Sequence, residues 1–317
     1  MNTLSTSLIV PTYKRHQDLP RLIKSIQRLS SVPDELVFIV GPGDIISENL
    51  LVSAKTQLPF LEIINSDRAS VIYALNLGLK ASNGDILCLL DDDVELPTDW
   101  LDKIKLAFYN DHRLGAYGGI DYLQHPNPKY SKPDKVERVG YFSEKGVHYG
   151  LHHCGIKKSP AEVAILKGCN ISIRRTSLSP VAIDSNLEGF GAESSWEIDL
   201  CQNIAANGFK LIYDNENFVK HYIGPRLESD IRTDIFSPAV LQGMYNLAYV
   251  YAKYRPPLEL TFFTIRTLIL GSRRRPGLFW GFVQIPKYGM RIFSRSLAIS
   301  LQVIKGIHAG LQNRLKN

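Results

Sequence analysis

Along the first 115 or so residues, short runs that are apolar on both faces alternate with stretches whose apolar residues recur every three or four positions. "SLIVPTY" (7–13), "ELVFIV" (35–40), "LEII" (61–64) and "DILCLL" (85–90) read as buried strands. Between the first two, Leu19, Leu22, Ile23, Ile26 and Leu29 fall on one helical face, and Asp18 and Pro20 supply the start signals. Residues 47–57 give a weaker helix, and Val71, Ala74, Leu75, Gly78 and Leu79 a third. Strands without a polar face, alternating with helices, predict a parallel sheet with right-handed crossovers. Such sheets bind ligands at the carboxyl ends of their strands.

From 122 to 160 the periodicity fades into a stretch with Pro126, Pro128 and Pro133, which predicts a long irregular excursion. His148 and His152 there have the i, i+4 spacing of a zinc pair, but Gly146, Gly150 and Gly155 argue against the helix that spacing needs. Order returns in "EVAILKGCNISIRR" (162–175), a helix at about 195–207 and the strand "FKLIYD" (209–214).

Charge divides the chain where the pattern does not. Of the 317 residues, those from 253 onward carry 12 Lys and Arg against the single acid Glu259, while the rest carry 25 bases and 30 acids. Apolar residues are interleaved with these bases, and no uncharged run approaches the ~18 residues of a membrane-spanning helix. This composition suits a helical extension on an anionic membrane surface better than one on nucleic acid. The reading is two domains, 1–235 and a basic helical extension, 236–317. The four cysteines show no CxxC pairing, and the N-terminus lacks the basic and apolar regions of a signal peptide. A cytoplasmic protein, peripheral on the inner face of the membrane, is expected.

The residues with most chemistry cluster after the predicted strands: Pro11 to Arg15, "GPGD" (41–44), "NSDR" (65–68) and the triplet Asp91, Asp92, Asp93. No GxGxxG follows any strand, which excludes the usual dinucleotide fingerprint. In extended backbone Asp91 and Asp93 share one side and Asp92 takes the other. Two hard carboxylates on one side suit Mn²⁺ or Mg²⁺ with a nucleotide diphosphate.

Four segments in order, "SLIVPTYKR", "SVIYALNLGLKASNGDILCLLDDDVEL", "LKGCNISIRR" and "WEIDLCQNIAANGFKLIYDNENFVKHY", resemble the family 2 glycosyltransferases over about residues 5–225. The resemblance implies an α/β fold of the GT-A type: a Rossmann-like, mostly parallel sheet flanked by helices. It divides the first domain into a nucleotide-sugar half (about 1–115) and an acceptor half (116–235). It also implies transfer, with inversion, from a nucleotide-diphospho-sugar donor to a glycan or lipid-linked glycan, assisted by a divalent cation.

Carried over by residue, Pro11, Thr12 and Tyr13 line the nucleoside pocket, Arg15 approaches the phosphates, and Arg68 is the basic residue near the nucleotide. Asp91 and Asp93 match the DxD motif, with Asp91 as ligand or ribose contact, Asp93 as metal ligand and Asp92 facing the sugar. His221 matches a histidine near the metal or the diphosphate, and is carried over as a metal ligand. Relatives usually end the second strand in an aspartate that contacts the base; here Gly41 stands there, and Asp44 is the substitute after the turn. In place of the family's "EDxDL" the chain has "WEIDL". Glu197 then falls on the general base, Asp199 is the alternative, and Trp196 is a stacking platform or a packing residue. Ser194 and Glu197 also have the spacing of a capping box. Asn170 or Arg174 would donate hydrogen bonds on the acceptor side, and Cys169 reads as a small buried residue.

Two other readings compete. A sugar nucleotidyltransferase would use a similar sheet and cation but carries a glycine-rich loop after the first strand, which "VPTYKR" is not. A degenerate, non-catalytic binding module would explain Trp196 and Gly41, but not an intact Asp91 and Asp93.

Overall fold

A computed structural model describes residues 4–125, 127–131, 133–143, 147–189, 191, 193–223 and 234–315. They group into two compact units: one within Met1–Tyr141, Tyr149–Ile183 and Leu200–Pro225, the other within Phe142–His148, Asp184–Asp199 and Arg226–Asn317.

In the first unit β1 (Thr6–Thr12), β2 (Glu35–Val40), β3 (Leu61–Asn65) and β4 (Ile86–Leu90) alternate with α1 (Leu19–Gln27), α2 (Ile45–Ala54) and α3 (Val71–Ala81). β1 lies between β2 and β4, parallel to both, with Leu8 level with Leu36 and Cys88. The side chains of Leu8, Ile9 and Val10 are fully buried, as a strand covered on both faces requires. α1 turns Leu19, Leu22, Ile23 and Ile26 inward. Its Asp18 makes no side-chain cap and instead accepts from Arg21 at 2.9 Å. α3 is capped by Ser70, whose hydroxyl accepts from the Tyr73 amide. Gly78 lets α3 close on the sheet, since a Cβ there would stand 2.4 Å from Ile9 Cγ2.

The chain continues through β5 (Val94–Glu95), α4 (Trp100–Asn110) and β6 (Leu114–Leu123). In the predicted excursion, after β6 ends, the described elements are the one-turn α5 (Pro128–Ser131) and two two-residue strands, β7 (Tyr141–Phe142) and β8 (His148–Tyr149); a third, β9 (Ala161–Glu162), follows directly after it. His148 thus lies in extended backbone, not on a helix, and the His152 ring bonds to the Ile165 carbonyl at 2.9 Å. β10 (Asn170–Arg174), α6 (Trp196–Ala206) and β11 (Lys210–His221) follow.

The sheet order is β3-β2-β1-β4-β10-β6-β11-β5, with β9 on β11. β10 enters antiparallel between β4 and β6, and β11 runs parallel to β6, so the sheet is mixed, with a parallel Rossmann-like half. "EVAILKGCNISIRR" contributes a regular strand only over 170–174.

The second unit is helical: α7 (Pro238–Tyr254), α8 (Pro257–Ile265), a five-residue π-helix (Arg266–Leu270), α9 (Leu278–Val283), α10 (Ile285–Tyr288) and α11 (Arg291–Arg314). α11 packs on α7 at very close range. A Cβ on Gly306 would stand 2.3 Å from the Tyr245 carbonyl oxygen, and one on Gly310 equally close to that of Tyr249. Among the described residues no helix is long and apolar enough to cross a membrane.

This unit also buries a charge cluster. Lys253 Nζ donates to Asp184 Oδ2 at 2.6 Å and to Asp199 Oδ1 at 3.0 Å, and the Tyr249 hydroxyl donates to Asp184 at 2.6 Å. Burial works against both acids, but Lys253 and Tyr249 hold Asp184 below the ordinary carboxylate range, whereas burial leaves Asp199 above it. Asp184 therefore contributes stability above its unfolded pKa that is lost as pH falls through the lowered value. Lys253→Met would strand two buried acids, and we expect a loss of about 3–5 kcal/mol in denaturant unfolding. Adding Asp184→Asn should return part of it.

Candidate active site

Three aspartates follow β4 in a turn, not in the extended backbone that strand alternation assumes. Asp91 and Asp93 nevertheless converge, because β5 pairs antiparallel with the end of β11 and sets His221 level with Val94. The Tyr222 amide donates to the Asp93 carbonyl at 2.8 Å and fixes this register. The ligand atoms of Asp91, Asp93 and His221 all lie within 4.8 Å of one another.

Four strand ends supply the surroundings. Arg15, after β1, donates to Asp93 Oδ2 at 2.8 Å. His221 Nε2 is 3.2 Å from Asp93 Oδ1, and its Nδ1 is 3.5 Å from Asp121 Oδ2, near the end of β6. Lys167, just before β10, pairs with the same Asp121 oxygen. Between Asp214 and Val219 the register of β11 against β6 shifts, and beyond it Val219 pairs with Asp121.

The charges act strongly on one another because water is nearly absent: Asp93, Asp121 and His221 are all buried. Burial opposes protonation of His221, but hydrogen bonds to Asp121 and Asp93 push it up to about 12. Burial likewise opposes ionisation of Asp121, yet His221 and Lys167 pull it down to about 2. The pair stays ionised across the neutral range. Burial and then the Asp93 charge raise Asp91, while burial pushes Asp92 up to about 8 against the pull of Arg15. For Arg15 burial is outweighed by Asp92 and Asp93, which hold the guanidinium above its ordinary value.

Two carboxylates and an imidazole on converging paths suit Mn²⁺ or Mg²⁺. The repulsion that raises Asp91 is what a divalent charge would relieve. His221 must release its proton to serve as a ligand. A second group, Asp121, Cys169 and His221, shares the imidazole. Its thiol is pushed up by burial and stays protonated, which makes it the poorer set.

Other sequence candidates fall in different places. Pro11 and Thr12 complete β1 beside Ile39 and Val40. Tyr13 lies on Gly41, where a Cβ would stand 2.3 Å from the ring's Cδ2, so the second strand's end has no room for the acid that relatives carry. Asp44 caps α2: its Oδ1 accepts from the Ser47 amide at 3.3 Å and its Oδ2 from the Lys14 amide at 2.5 Å. Both its oxygens are thus engaged, one in capping α2 and the other in tying the end of the first strand to the turn after the second. Arg68 is exposed on the edge strand's end and lies over the Tyr73 ring.

Asn170 lies beside Leu90 but is committed to the framework: it accepts from Trp100 Nε1 at 3.1 Å and donates to the Asn217 carbonyl at 2.9 Å. The structure does not bring Arg174 to the cluster. β10 runs antiparallel to β4, so Arg174 sits beside Ile86 at the opposite end, four residues or roughly 14 Å along the strand. There it donates to the carbonyls of Phe108, Asp111 and Leu114 and closes the end of α4.

In the second unit, Trp196 is buried, as a packing residue is. The Asp199 amide bonds to the Ser195 carbonyl, which makes Ser195 the residue before the helix. Glu197 is then the second helical residue, and the Ser194 capping-box register does not apply. Glu197 is half-buried, whereas Asp199 is buried against Lys253.

Asp121 and Lys167 are absent from the sequence reading. One signal marked Asp121: it is the one charge in the apolar strand "LGAYGGIDYL". Standing 3.5 Å from Nδ1, it is placed to orient the His221 ring, the position that carboxylate partners of metal-binding histidines take. Asp121→Asn should weaken Mn²⁺ binding by roughly 10–100-fold in a calorimetric titration, with circular dichroism unchanged.

Comparison with known proteins agrees with this geometry. The sequence model of glycosyl transferase family 2 matches residues 7–178. A glucosyl-dolichyl phosphate glucuronosyltransferase from Haloferax volcanii is 23% identical over 226 residues, 69% of either chain. An uncharacterised glycosyltransferase from Haemophilus influenzae is 31% identical over 120 residues, and the match spans only 38% of that protein's length. Among solved structures, the mannosyltransferase PcManGT from Pyrobaculum calidifontis, in complex with GDP-Man and Mn²⁺, superposes with a TM-score of 0.59 at 16% identity, over 96% of this chain and 88% of that one. S. aureus TarS 1–349 in complex with UDP-GlcNAc gives 0.61 at 14% identity, over 98% and 89%. These structural likenesses carry the fold.

Proposed function

The chain belongs to glycosyl transferase family 2, and from that premise we propose that it transfers a sugar, with inversion, from a nucleotide-diphospho-sugar to a hydroxyl of a glycan or lipid-linked glycan at a membrane surface. The observation that carries the reading is the convergence of Asp91, Asp93 and His221 beside Arg15, at the carboxyl end of a Rossmann-like half-sheet. Asp91, Asp93 and His221 would hold Mn²⁺ or Mg²⁺, which supplies charge neutralisation for the departing diphosphate.

The remaining work falls to the chain's own groups. Arg15 guides the diphosphate, and Asp92, whose carboxyl burial pushes up to about 8, offers a hydrogen bond to the donor sugar. Pro11, Thr12 and Tyr13 border the nucleoside, with Arg68 and Asp44 at its margin. Glu197 takes the proton of the acceptor hydroxyl as that oxygen bonds to the anomeric carbon and the bond to the diphosphate breaks. Glu197 is taken as the base from its place in the family's motif, and Asp199, which accepts from Lys253, is the alternative. The Haloferax relative's name, which includes a dolichyl phosphate, favours a lipid-linked acceptor.

Calorimetry with UDP, GDP and dTDP, each with Mn²⁺ and again with chelator, tests the donor site. One nucleotide should bind, and only with metal; binding that ignores the chelator would argue against the cation site. Glu197→Gln should keep nucleotide affinity and lower transfer by about 10²–10⁴-fold. Transfer at the normal rate would return the base to Asp199.

A further inference from the structure

The His221 ring has two working edges. Nε2 faces Asp93 and, through it, the outer group with Asp91; Nδ1 faces Asp121, 3.5 Å from Oδ2. On that second edge the ligand atoms of Asp121, Cys169 and His221 also lie within 4.8 Å of one another. All three side chains are buried, Asp121 and Cys169 to 1% exposure.

Three neighbouring strands build this inner group. β11 sets Val219 level with Asp121 of β6, so His221, two residues further on, leaves the sheet on the same face. Cys169 comes directly before β10, which flanks β6 on its other side. Gly118 and Gly119 let both neighbours close on β6 just ahead of Asp121. A Cβ on Gly118 would stand 2.6 Å from the Asn170 carbonyl oxygen, and one on Gly119 1.7 Å from that of Asn217.

Asp121 keeps one ligand atom in reserve. Lys167 pairs with its Oδ2, whereas Oδ1 is buried and accepts no hydrogen bond among the described residues. A buried carboxylate oxygen without a donor is costly, and a cation beside it removes the cost. The chemistry of the set says which cation. Mn²⁺ and Mg²⁺ favour oxygen ligands, but a carboxylate, an imidazole and a thiol together suit Zn²⁺, with water in the fourth tetrahedral position. Zn²⁺ draws the proton from a thiol that it binds, so a protonated Cys169 does not exclude it. With one thiolate and one carboxylate the ion forms a neutral unit, which can stay buried. Lys167 keeps its place on Oδ2 and also feels the charge of Asp91.

We propose that Asp121, Cys169 and His221 form a Zn²⁺ site that competes with the outer cation site for the shared histidine. A neutral imidazole has a single lone pair. His221 therefore serves Zn²⁺ through Nδ1 or the outer ion through Nε2, and Zn²⁺ acts as an inhibitor seated behind the donor site. The competition rests on the outer group being the catalytic cation site; the binding of Zn²⁺ does not. Zn²⁺ could also enter the outer group, and the thiol is what separates the two sites.

The test uses the full chain without nucleotide, with Co²⁺ as a coloured stand-in for Zn²⁺ and Mn²⁺ followed by electron paramagnetic resonance. Co²⁺ should develop the near-ultraviolet charge-transfer band of a cobalt–thiolate bond, and added Zn²⁺ should bleach it. The band should vanish in Cys169→Ala and persist in Cys154→Ala. Zn²⁺ should release Mn²⁺ from the parent protein. Cys169→Ala should bind Mn²⁺ like the parent and need roughly tenfold more Zn²⁺, or above, to release it. A parent without the band, a band that survives Cys169→Ala, or equal release of Mn²⁺ in the two proteins would overturn the site. If Cys169→Ala does not fold, zinc-edge X-ray absorption of Cys154→Ala decides: one sulfur neighbour supports the site and a shell of nitrogen and oxygen alone refutes it. Absence of Mn²⁺ binding in the parent would remove the catalytic-cation reading and leave the cobalt band to settle the zinc site.

Discussion

His221 is gripped from both sides. One ring nitrogen faces Asp93 and the other faces Asp121, which Lys167 holds in turn. These groups come from the turn after β4, from β6, from the loop before β10 and from the end of β11. Buried charges are tolerated only when each has a partner in good geometry. The register of four strands is therefore tied to one chain of ion pairs. A one-residue slip in β11 would turn His221 to the other face of the sheet and take from Asp93 and Asp121 the imidazole they share.

The same constraint explains why the antiparallel β10 sits in an otherwise Rossmann-like order. By running against β4 it places Asn170 beside Leu90, where it ties Trp100 to the Asn217 backbone beneath the aspartates. Its other end delivers Arg174 to the carbonyls that finish α4. One strand thus braces both ends of the central strands with polar side chains whose partners are almost entirely backbone or framework groups.

Much of the parallel half was legible in the sequence, because strands buried on both faces are written as unbroken apolar runs; "ELVFIV" matches β2 residue for residue. The aspartate triplet was legible because charge straight after such a run is rare. Asp121 and Lys167 were not, since their partnership spans 46 residues and exists only once β10 has entered the sheet. Arg174 misled for the reverse reason: a motif gives proximity along the chain, and strand direction decides which end of the sheet receives it. In the basic C-terminal region composition told of charge and apolar surface. It could not tell of the sharp turn after the π-helix, because that depends on the backbone conformation of Gly271, at φ +64°.

Gly41 and Tyr13 occupy a single volume at the ends of the first two strands. The ring fills the space over the glycine, and any side chain at 41 would have to displace it. Neither residue can then change alone without either a clash or a void. The two positions therefore behave as one unit of packing: in this chain an acid at 41 demands a smaller or displaced side chain at 13, so a change in how the second strand ends has to begin at the end of the first.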